Sequence, residues 1–265
     1  MARGQKTRGA KRPGRQQKAG RASQSEDRPR SSEGSAPMLA PLEPKSVGQE
    51  IFIREIEAKP IVICDGPAGT GKTLISFGSA LRSYIYGDEI DRIVIVRPTF
   101  TSSDEPELGF LPGTLDDKMA PFVAPLLKDS APLLFKRPSR SSGDQKFIDR
   151  FGNGRENTIN MLAKIDIEII PLHMMRGRSL HSSFIILDEA QNCSMADFKL
   201  FLTRIGRNSR VIIEGDSTQK DRSDGALPDL MKKLHGLDFV GIVRLNSEDI
   251  VRNNMIADII DRLDT

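Results

Sequence analysis

The chain has 265 residues, of which 38% are hydrophobic, with two cysteines and a formal net charge of +3. No apolar stretch approaches the roughly 20 residues that a membrane-spanning helix needs, which argues against an integral membrane protein. The first residues lack the apolar core of a secretory signal. Cys64 and Cys193 are too few for a disulfide framework and lack zinc spacing, so we expect a cytoplasmic protein in which Cys64 is a buried thiol.

Basic side chains are concentrated at the amino terminus. Residues 1–33 contain ten Lys or Arg and three acids, whereas the remaining residues contain 29 Lys or Arg and 33 acids. Residues 1–40 hold few apolar side chains, and we expect them to form a disordered basic arm. Such an arm could bind nucleic-acid phosphates, or could serve only to keep the chain in solution.

Residues 41–265 alternate between apolar runs and helix-like stretches, which predicts one folded domain. Near-continuous Val, Ile and Leu strands between helices are typical of a parallel sheet covered on both faces, so we expect an α/β fold. Residues 135–157, rich in Ser, Gly and Arg, predict a flexible loop insertion. The predicted strands are 61–64, 92–96, 166–170, 184–187, 211–214 and 239–245, and the predicted helices are 72–85, 194–206, 225–235 and 248–263.

The first chemical motif is ICDGPAGTGKTLISF, residues 63–77, which fits the GxxxxGK[ST] pattern of a phosphate-binding loop. Glycines let backbone N–H groups curl around phosphates, Lys72 would reach the terminal phosphates, and the Thr73 hydroxyl would coordinate Mg²⁺. The alternative is a glycine-rich strand-to-helix turn that binds nothing, but the flanking strand and helix patterns favour nucleotide binding. The predicted nucleotide-binding residues are Gly66, Pro67, Ala68, Gly69, Thr70, Gly71, Lys72 and Thr73.

Two further polar clusters follow apolar strands. In SFIILDEAQN, residues 183–192, we expect Asp188 to hold Mg²⁺ together with Thr73, and Glu189 to orient and deprotonate the attacking water. In RVIIEGDSTQKD, residues 210–221, Gln219 could bond the γ-phosphate or that water. The alternative for the second cluster is an ordinary Gly-Asp turn.

These three motifs, in this order, resemble those of superfamily 1 helicases and, more closely, those of the PhoH family of phosphate-starvation-inducible ATPases. The segments IVRPTF, LGFLPGTLDDKMAPF, IEIIPLHMMRGRSLHSSFIILDEAQN and FLTRIGRNSRVIIEGDSTQ also match that family, and the resemblance spans residues 45–263. It implies a RecA-like P-loop NTPase domain that uses ATP and Mg²⁺, a role in RNA metabolism, and ring-shaped oligomers.

The resemblance also suggests roles for individual residues. Gln49 matches a glutamine that contacts adenine, and Arg97 and Thr99 match a motif that contacts a nucleic-acid strand. Arg176 and Arg178 match an MRGRSL hallmark that would contact nucleic acid or the γ-phosphate. The alternative for this last pair is two surface arginines that flank a turn.

One RecA-like domain lacks the second domain that supplies an arginine finger in such helicases. We therefore expect another copy of the chain to supply it in a ring, for which a hexamer is one candidate size. Arg252 is the first candidate for the finger and Arg204 the second, although either could be an ordinary surface charge.

The leading hypothesis is an ATP-hydrolysing helicase or translocase that acts on RNA or another single-stranded nucleic acid, with no membrane partner. The alternative is an ATP-dependent switch or assembly factor that binds a protein or RNA partner without unwinding.

Overall fold

The computed structural model of the chain describes residues 39–98, 131–134, 165–219 and 225–251, together with Met1. The strands within these residues are β1 (Ile61–Asp65), β2 (Arg92–Arg97), β3 (Ile167–Pro171), β4 (Ser183–Leu187), β5 (Arg210–Gly215) and β6 (Val240–Arg244). The α-helices are α1 (Val47–Ala58), α2 (Lys72–Tyr86), α3 (Ala131–Leu134), α4 (Met195–Leu202) and α5 (Leu227–Leu234). Short 3₁₀ helices lie at Leu172–Met175, Ala190–Asn192 and Ser247–Asp249.

The six strands form one parallel sheet in the order β3-β2-β4-β5-β1-β6. Every strand end lies within one residue of its predicted position, which confirms the α/β fold with a parallel sheet. β5 lies between β1 and β4 in this order. The carboxyl ends of β1, β5 and β4, each followed by one of the three motifs, are therefore neighbours at one edge.

Helices cover both faces of the sheet, as predicted. Successive strand residues point to opposite faces, so Ile93 and Val94 belong to different hydrophobic clusters. The first cluster packs under α1 and α2, and its fully buried members include Phe77. The second packs under α4 and α5 and includes Phe198. Both cysteines are buried thiols, as expected for Cys64.

The predicted helix 194–206 is too long, because α4 ends at Leu202. Ser194 caps its first turn, and the chain then turns so that Ile205 bridges to Leu180. The backbone N–H of Gly206 donates to the Leu180 carbonyl at 2.7 Å, and this extended pairing is incompatible with a continued helix.

Helix α1 was not predicted from the sequence. Its amino-terminal cap is Ser46, whose side chain accepts from the Gln49 N–H, and its buried residues are Gln49, Phe52 and Ile56. The S-x-x-Q spacing from Ser46 to Gln49 is a helix-start signal that could have revealed it.

Some predicted features are not described by the structure. The predicted helix 248–263 begins in a 3₁₀ turn at Ser247–Asp249, and residues 250–251 are not helical. Residues 252–263, with Arg252, lie outside the described residues, as do Thr99, the loop 135–157 and nearly all of the arm. The predictions for these segments stay predictions. Across the described ranges, no helix combines the length and apolar composition needed to cross a membrane.

Candidate active site

The carboxyl ends of β1, β5 and β4 border a cleft of about 740 Å³. This volume is in the range of small-molecule sites. The cleft brings together residues from all three sequence motifs and from the start of α1. Those predicted for the site that line it are Gln49, Ala68, Gly69, Gly71, Lys72, Thr73, Asp188, Glu189 and Gln219.

The loop between β1 and α2 has the backbone shape that its glycines allow. Gly69 and Gly71 have φ values of 87° and 80°, in the left-handed region where a side chain is strained. Gly71 is the amino-terminal cap of α2 and has no side chain to bond the first helical N–H groups. Those N–H groups are therefore available to an anion at the positive end of the helix.

Lys72 lies inside the curve of this loop. Its Nζ donates to the carbonyl oxygens of Gly66 at 2.6 Å and Pro67 at 3.0 Å. The buried Thr70 adds a hydrogen bond from Oγ1 to the Pro67 carbonyl at 2.8 Å. The loop thus holds a cationic group at the centre of its concave side, where a phosphate would be bound.

Gln49 connects α1 to the phosphate-binding loop. It is 5% exposed, its Oε1 accepts from the Lys45 N–H at 2.8 Å, and its Nε2 donates to the Thr70 carbonyl at 2.9 Å. The sequence suggested an adenine contact for Gln49, whereas the structure engages both ends of its amide with backbone. Gln49 therefore has a clear structural role at the border of the cleft.

Asp188, at the end of β4, is 6% exposed and is held by two neighbours. Its Oδ1 accepts from the Glu189 N–H at 2.9 Å. Its Oδ2 accepts from Arg97, through Nε at 2.8 Å and also through Nη2. Arg97 ends β2, the strand beside β4, and was predicted from the sequence to contact nucleic acid. In the structure Arg97 also contacts Asp188, the proposed metal ligand.

Glu189 lies in an unusual backbone conformation next to Asp188. Its φ of 57° and ψ of 37° are left-handed, which is uncommon for a residue other than glycine and occurs frequently at functional sites. Its side chain is exposed to the cleft, and Oε2 accepts from Gln191 Nε2 at 2.8 Å.

Gln191 links the second and third motifs, a role that the sequence analysis missed. It is buried, and its Oε1 accepts from the Asp216 N–H at 3.1 Å while its Nε2 contacts Glu189. The polar run DEAQN directly after a buried strand was the available signal. Gln191 therefore fixes the spacing between the ends of β4 and β5.

The third motif forms a turn beside the cleft. Asp216 Oδ1 accepts from the Thr218 N–H at 3.1 Å and from its hydroxyl at 2.5 Å. The Gln219 N–H donates to the Asp216 carbonyl at 3.0 Å, which places Gln219 on the lining of the cleft. The turn is tied to β1 because the Ser217 N–H and hydroxyl donate to Asp65 at 2.8 and 2.7 Å.

Glu214 is a further acid near the site that the sequence analysis missed. Its side chain is fully buried and accepts from the Ser76 hydroxyl at 2.5 Å. Burial, and next the negative charge of Asp188, raises the pKa of Glu214 to about 8. The signal was the acid inside the otherwise apolar run RVIIEG.

The donors at this edge fit Mg²⁺ better than a metal that needs a full protein cage. Within the described ranges, no group of three or more His, Cys, Asp or Glu side chains could hold a metal. Mg²⁺ prefers oxygen ligands, and takes one or two protein groups together with substrate phosphates and water. The Thr73 hydroxyl and the Asp188 carboxylate are oxygen donors that line the same cleft.

None of the predicted arginines that the structure describes lines the cleft, although Arg97 contacts Asp188, which does. Arg178 pairs with Glu168 on edge strand β3 at 2.5 Å, and Arg176 is exposed. Arg204 follows α4, and its Nε is buried with no hydrogen-bond partner among the described residues. The structure therefore brings only Arg97, among the described candidates, to the nucleotide-binding edge.

A parallel sheet in which β1 leads through a GxxxxGKT loop into α2, with an acid at the end of β4, defines the class of P-loop NTPase folds. The model of PhoH-like proteins matches residues 41–264, and the chain belongs to the PhoH family.

Named relatives support this assignment. The chain is 35% identical over 223 residues to a PhoH-like protein of Mycobacterium tuberculosis. The aligned region covers 83% of this chain and 57% of the relative. The chain is also 35% identical over 227 residues to the protein PhoH of Escherichia coli. This aligned region covers 84% of the chain and 57% of the relative. The chain thus spans less than two thirds of the length of these relatives.

Among solved structures, the chain is similar to the large terminase of a thermophilic bacteriophage. The TM-score is 0.48 at 12% sequence identity, and the match covers 83% of this chain and 50% of the terminase.

Proposed function

We propose that this chain binds ATP with Mg²⁺ and hydrolyses it in the cleft at the carboxyl ends of β1, β5 and β4. The observation that carries the proposal is the meeting of three separate motifs at that cleft. Residues more than 100 positions apart in sequence, such as Lys72 and Asp188, line one space of a size suited to a nucleotide.

The loop residues would bind the phosphates. The N–H groups from Gly69 to Thr73 would donate to phosphate oxygens, and Lys72 would exchange its bonds to loop carbonyls for the β- and γ-phosphates. Gln49 would keep the loop in this shape through Thr70 and would border the base. This arrangement favours a nucleoside triphosphate over an uncharged ligand.

Thr73 and Asp188 would hold Mg²⁺, which supplies charge neutralisation at the β- and γ-phosphates when bound. Glu189 would accept a proton from the attacking water, because its exposed carboxylate faces the cleft beside Asp188. Gln191 would hold Glu189 in position, and Gln219 would contact the γ-phosphate or the water.

We further propose that ATP hydrolysis drives a helicase or translocase that acts on single-stranded nucleic acid, RNA in particular. Support comes from the family resemblance and from Arg97, which ends the strand next to Asp188 and reaches the nucleotide-binding edge. A nucleic-acid phosphate bound near Arg97 would be coupled directly to Asp188, the proposed Mg²⁺ ligand. Arg176, Arg178 and Thr99 are the other proposed contacts.

A ring of copies would complete the site. Among the described residues no arginine lines the cleft, and Arg97, which lies beside it, is engaged by Asp188. Arg252 or Arg204 of a neighbouring copy would supply that charge to the transition state.

The test is ATP turnover with and without single-stranded RNA, performed alongside a native mass measurement. Faster turnover with RNA in an oligomer supports the motor. Turnover that RNA leaves unchanged, with stable binding of a protein partner, would instead favour the ATP-dependent switch. Absence of any ATP turnover would refute the hydrolytic function itself.

A further inference from the structure

Glu214 occupies a position that structural stability alone does not explain. Its side chain has no exposure to solvent, and one carboxyl oxygen, Oε1, has no hydrogen-bond partner among the described residues. A buried polar atom without a hydrogen-bond partner destabilises the folded state relative to a satisfied one. An unpaired acid oxygen in a sheet core therefore calls for a function.

The position of Glu214 in the sheet points to the metal-binding end of the cleft. Ile213 pairs with Leu187, so Glu214 and Asp188, the next residues, stand at the same level on neighbouring strands. Cys64, the partner of Glu214 on β1, belongs to the cluster under α1 and α2. Glu214 thus points toward α2, as its bond to Ser76 on that helix also indicates.

Thr73 lies on the same turn of α2 as Ser76. Burial raises the pKa of Glu214, and the hydroxyls of Ser76 and Thr73 are both close enough to oppose that rise. A hydroxyl that coordinates a metal through a lone pair must direct its hydrogen to an acceptor elsewhere. Asp188 already receives Arg97 on one oxygen and the Glu189 N–H on the other. Glu214 Oε1, on the carboxyl group that faces α2, is a buried acceptor with no hydrogen-bond partner among the described residues.

We propose that Glu214 is a positioning residue that accepts the hydrogen of the Thr73 hydroxyl and so turns the Thr73 oxygen toward Mg²⁺. The inference rests on the proposed Mg²⁺-nucleotide site and adds to it a residue of the third motif to which the sequence analysis gave no role. The contact is available whether or not Glu214 carries a proton, because the neutral acid can donate through Oε2 to Ser76 and keep Oε1 as an acceptor.

The test measures the affinity of the full chain for a fluorescent ADP analogue, in Mg²⁺ and in EDTA. Glu214→Met, of similar length but without an acceptor, should reduce the Mg²⁺-dependent gain in affinity about tenfold or more, with the affinity in EDTA unchanged. Glu214→Gln keeps an acceptor oxygen and should retain the gain. A stability role alone would affect both affinities together.

A double-mutant cycle locates the effect on Thr73. Thr73→Val should lose the Mg²⁺-dependent gain, and adding Glu214→Met should cause no further loss. An equal loss from Glu214→Met in the presence and absence of the Thr73 hydroxyl would overturn the proposal, as would a full gain in Glu214→Met alone.

Ser76→Ala covers the case in which Glu214→Met does not fold. Removing the Ser76 hydroxyl frees Oε2 and should weaken the Mg²⁺-dependent gain, whereas Ser79→Ala, one turn further along α2, should not. Equal behaviour of the two serine variants would contradict the proposal. Failure of wild-type protein to bind the nucleotide with Mg²⁺ would instead refute the proposed function on which this inference rests.

Discussion

Arg97 and Asp188 form an ion pair that joins the ends of two neighbouring strands at the edge of the cleft. Arg97 Nε donates to Asp188 Oδ2 at 2.8 Å, and its Nη2 donates to the same oxygen. The side chain of Arg97 is 23% exposed and that of Asp188 is 8% exposed. The proposed nucleic-acid contact and the proposed metal ligand are therefore in direct contact.

Arg97→Ala should lower the free energy of unfolding in EDTA by roughly 2 kcal/mol, because it leaves a nearly buried carboxylate without its cation. Mg²⁺ with nucleotide should recover much of this loss, since a bound cation again compensates Asp188. Urea denaturation measures both quantities. The control is Arg178→Ala, which breaks the more exposed pair with Glu168 and should cost under about 1 kcal/mol. Equal losses of unfolding free energy in the two variants would show that the Arg97–Asp188 pair stabilises the fold no more than the exposed pair does.

Glu189→Gln should keep ATP and Mg²⁺ binding and reduce turnover by about 100-fold to 10,000-fold, because an amide cannot accept the proton of water. The amide retains an oxygen for Gln191, so the local structure should persist. Nucleotide titration and phosphate release measure the two properties. Glu248→Gln, an exposed acid beyond β6, serves as the control. Normal turnover in Glu189→Gln would show that another residue accepts the proton of the attacking water.

The stability of the chain should depend on pH through Glu214. Its folded pKa of about 8 lies above the ordinary value of 4.5, so the folded state retains a proton that the unfolded chain releases. The contribution of the neutral acid is complete below pH 4.5 and is lost as pH rises toward 8, by at most about 1.4 kcal/mol per pH unit.

Urea denaturation in EDTA at pH 5.5 and 8.5 tests this prediction. Glu214→Gln cannot ionise, so its stability relative to wild type should increase between the two values. A constant difference between the two proteins would contradict a raised pKa for Glu214.

The sequence predicted the strands well because each is a short, nearly continuous run of β-branched and other apolar residues. Helix α1 was missed because its buried side is narrow, with polar Gln49 beside Phe52 and Ile56. The length of α4 was overestimated because the pairing that ends it involves Leu180, which is distant in sequence.

The sequence predicted residues of the candidate site only where they belong to one contiguous motif. The pair of Arg97 with Asp188 depends on β2 lying beside β4, although β3 comes between them in the chain. Similarly, the environment of Glu214 depends on β5 lying next to β1, beneath α2. Strand order is a tertiary property, and no local pattern encodes it.

The ring can be tested by complementation between two inactive variants. Arg252→Ala should bind ATP but hydrolyse it slowly, and Lys72→Ala should lack a working loop. Co-expression should restore part of the activity, because an intact loop of one copy can face an intact Arg252 of another. Failure to restore activity would favour Arg204 over Arg252 as the arginine finger. Full activity in a monomer would exclude the ring.

Hydrolysis of ATP at the loop around Lys72 can be tested by measuring Mg²⁺-dependent phosphate release by Lys72→Ala. Loss of the ammonium group that lies within the loop should reduce turnover about 100-fold or more and weaken nucleotide binding. Lys232→Ala, which removes an exposed lysine on α5, should match wild type. Wild-type turnover in Lys72→Ala would show that hydrolysis occurs outside this cleft.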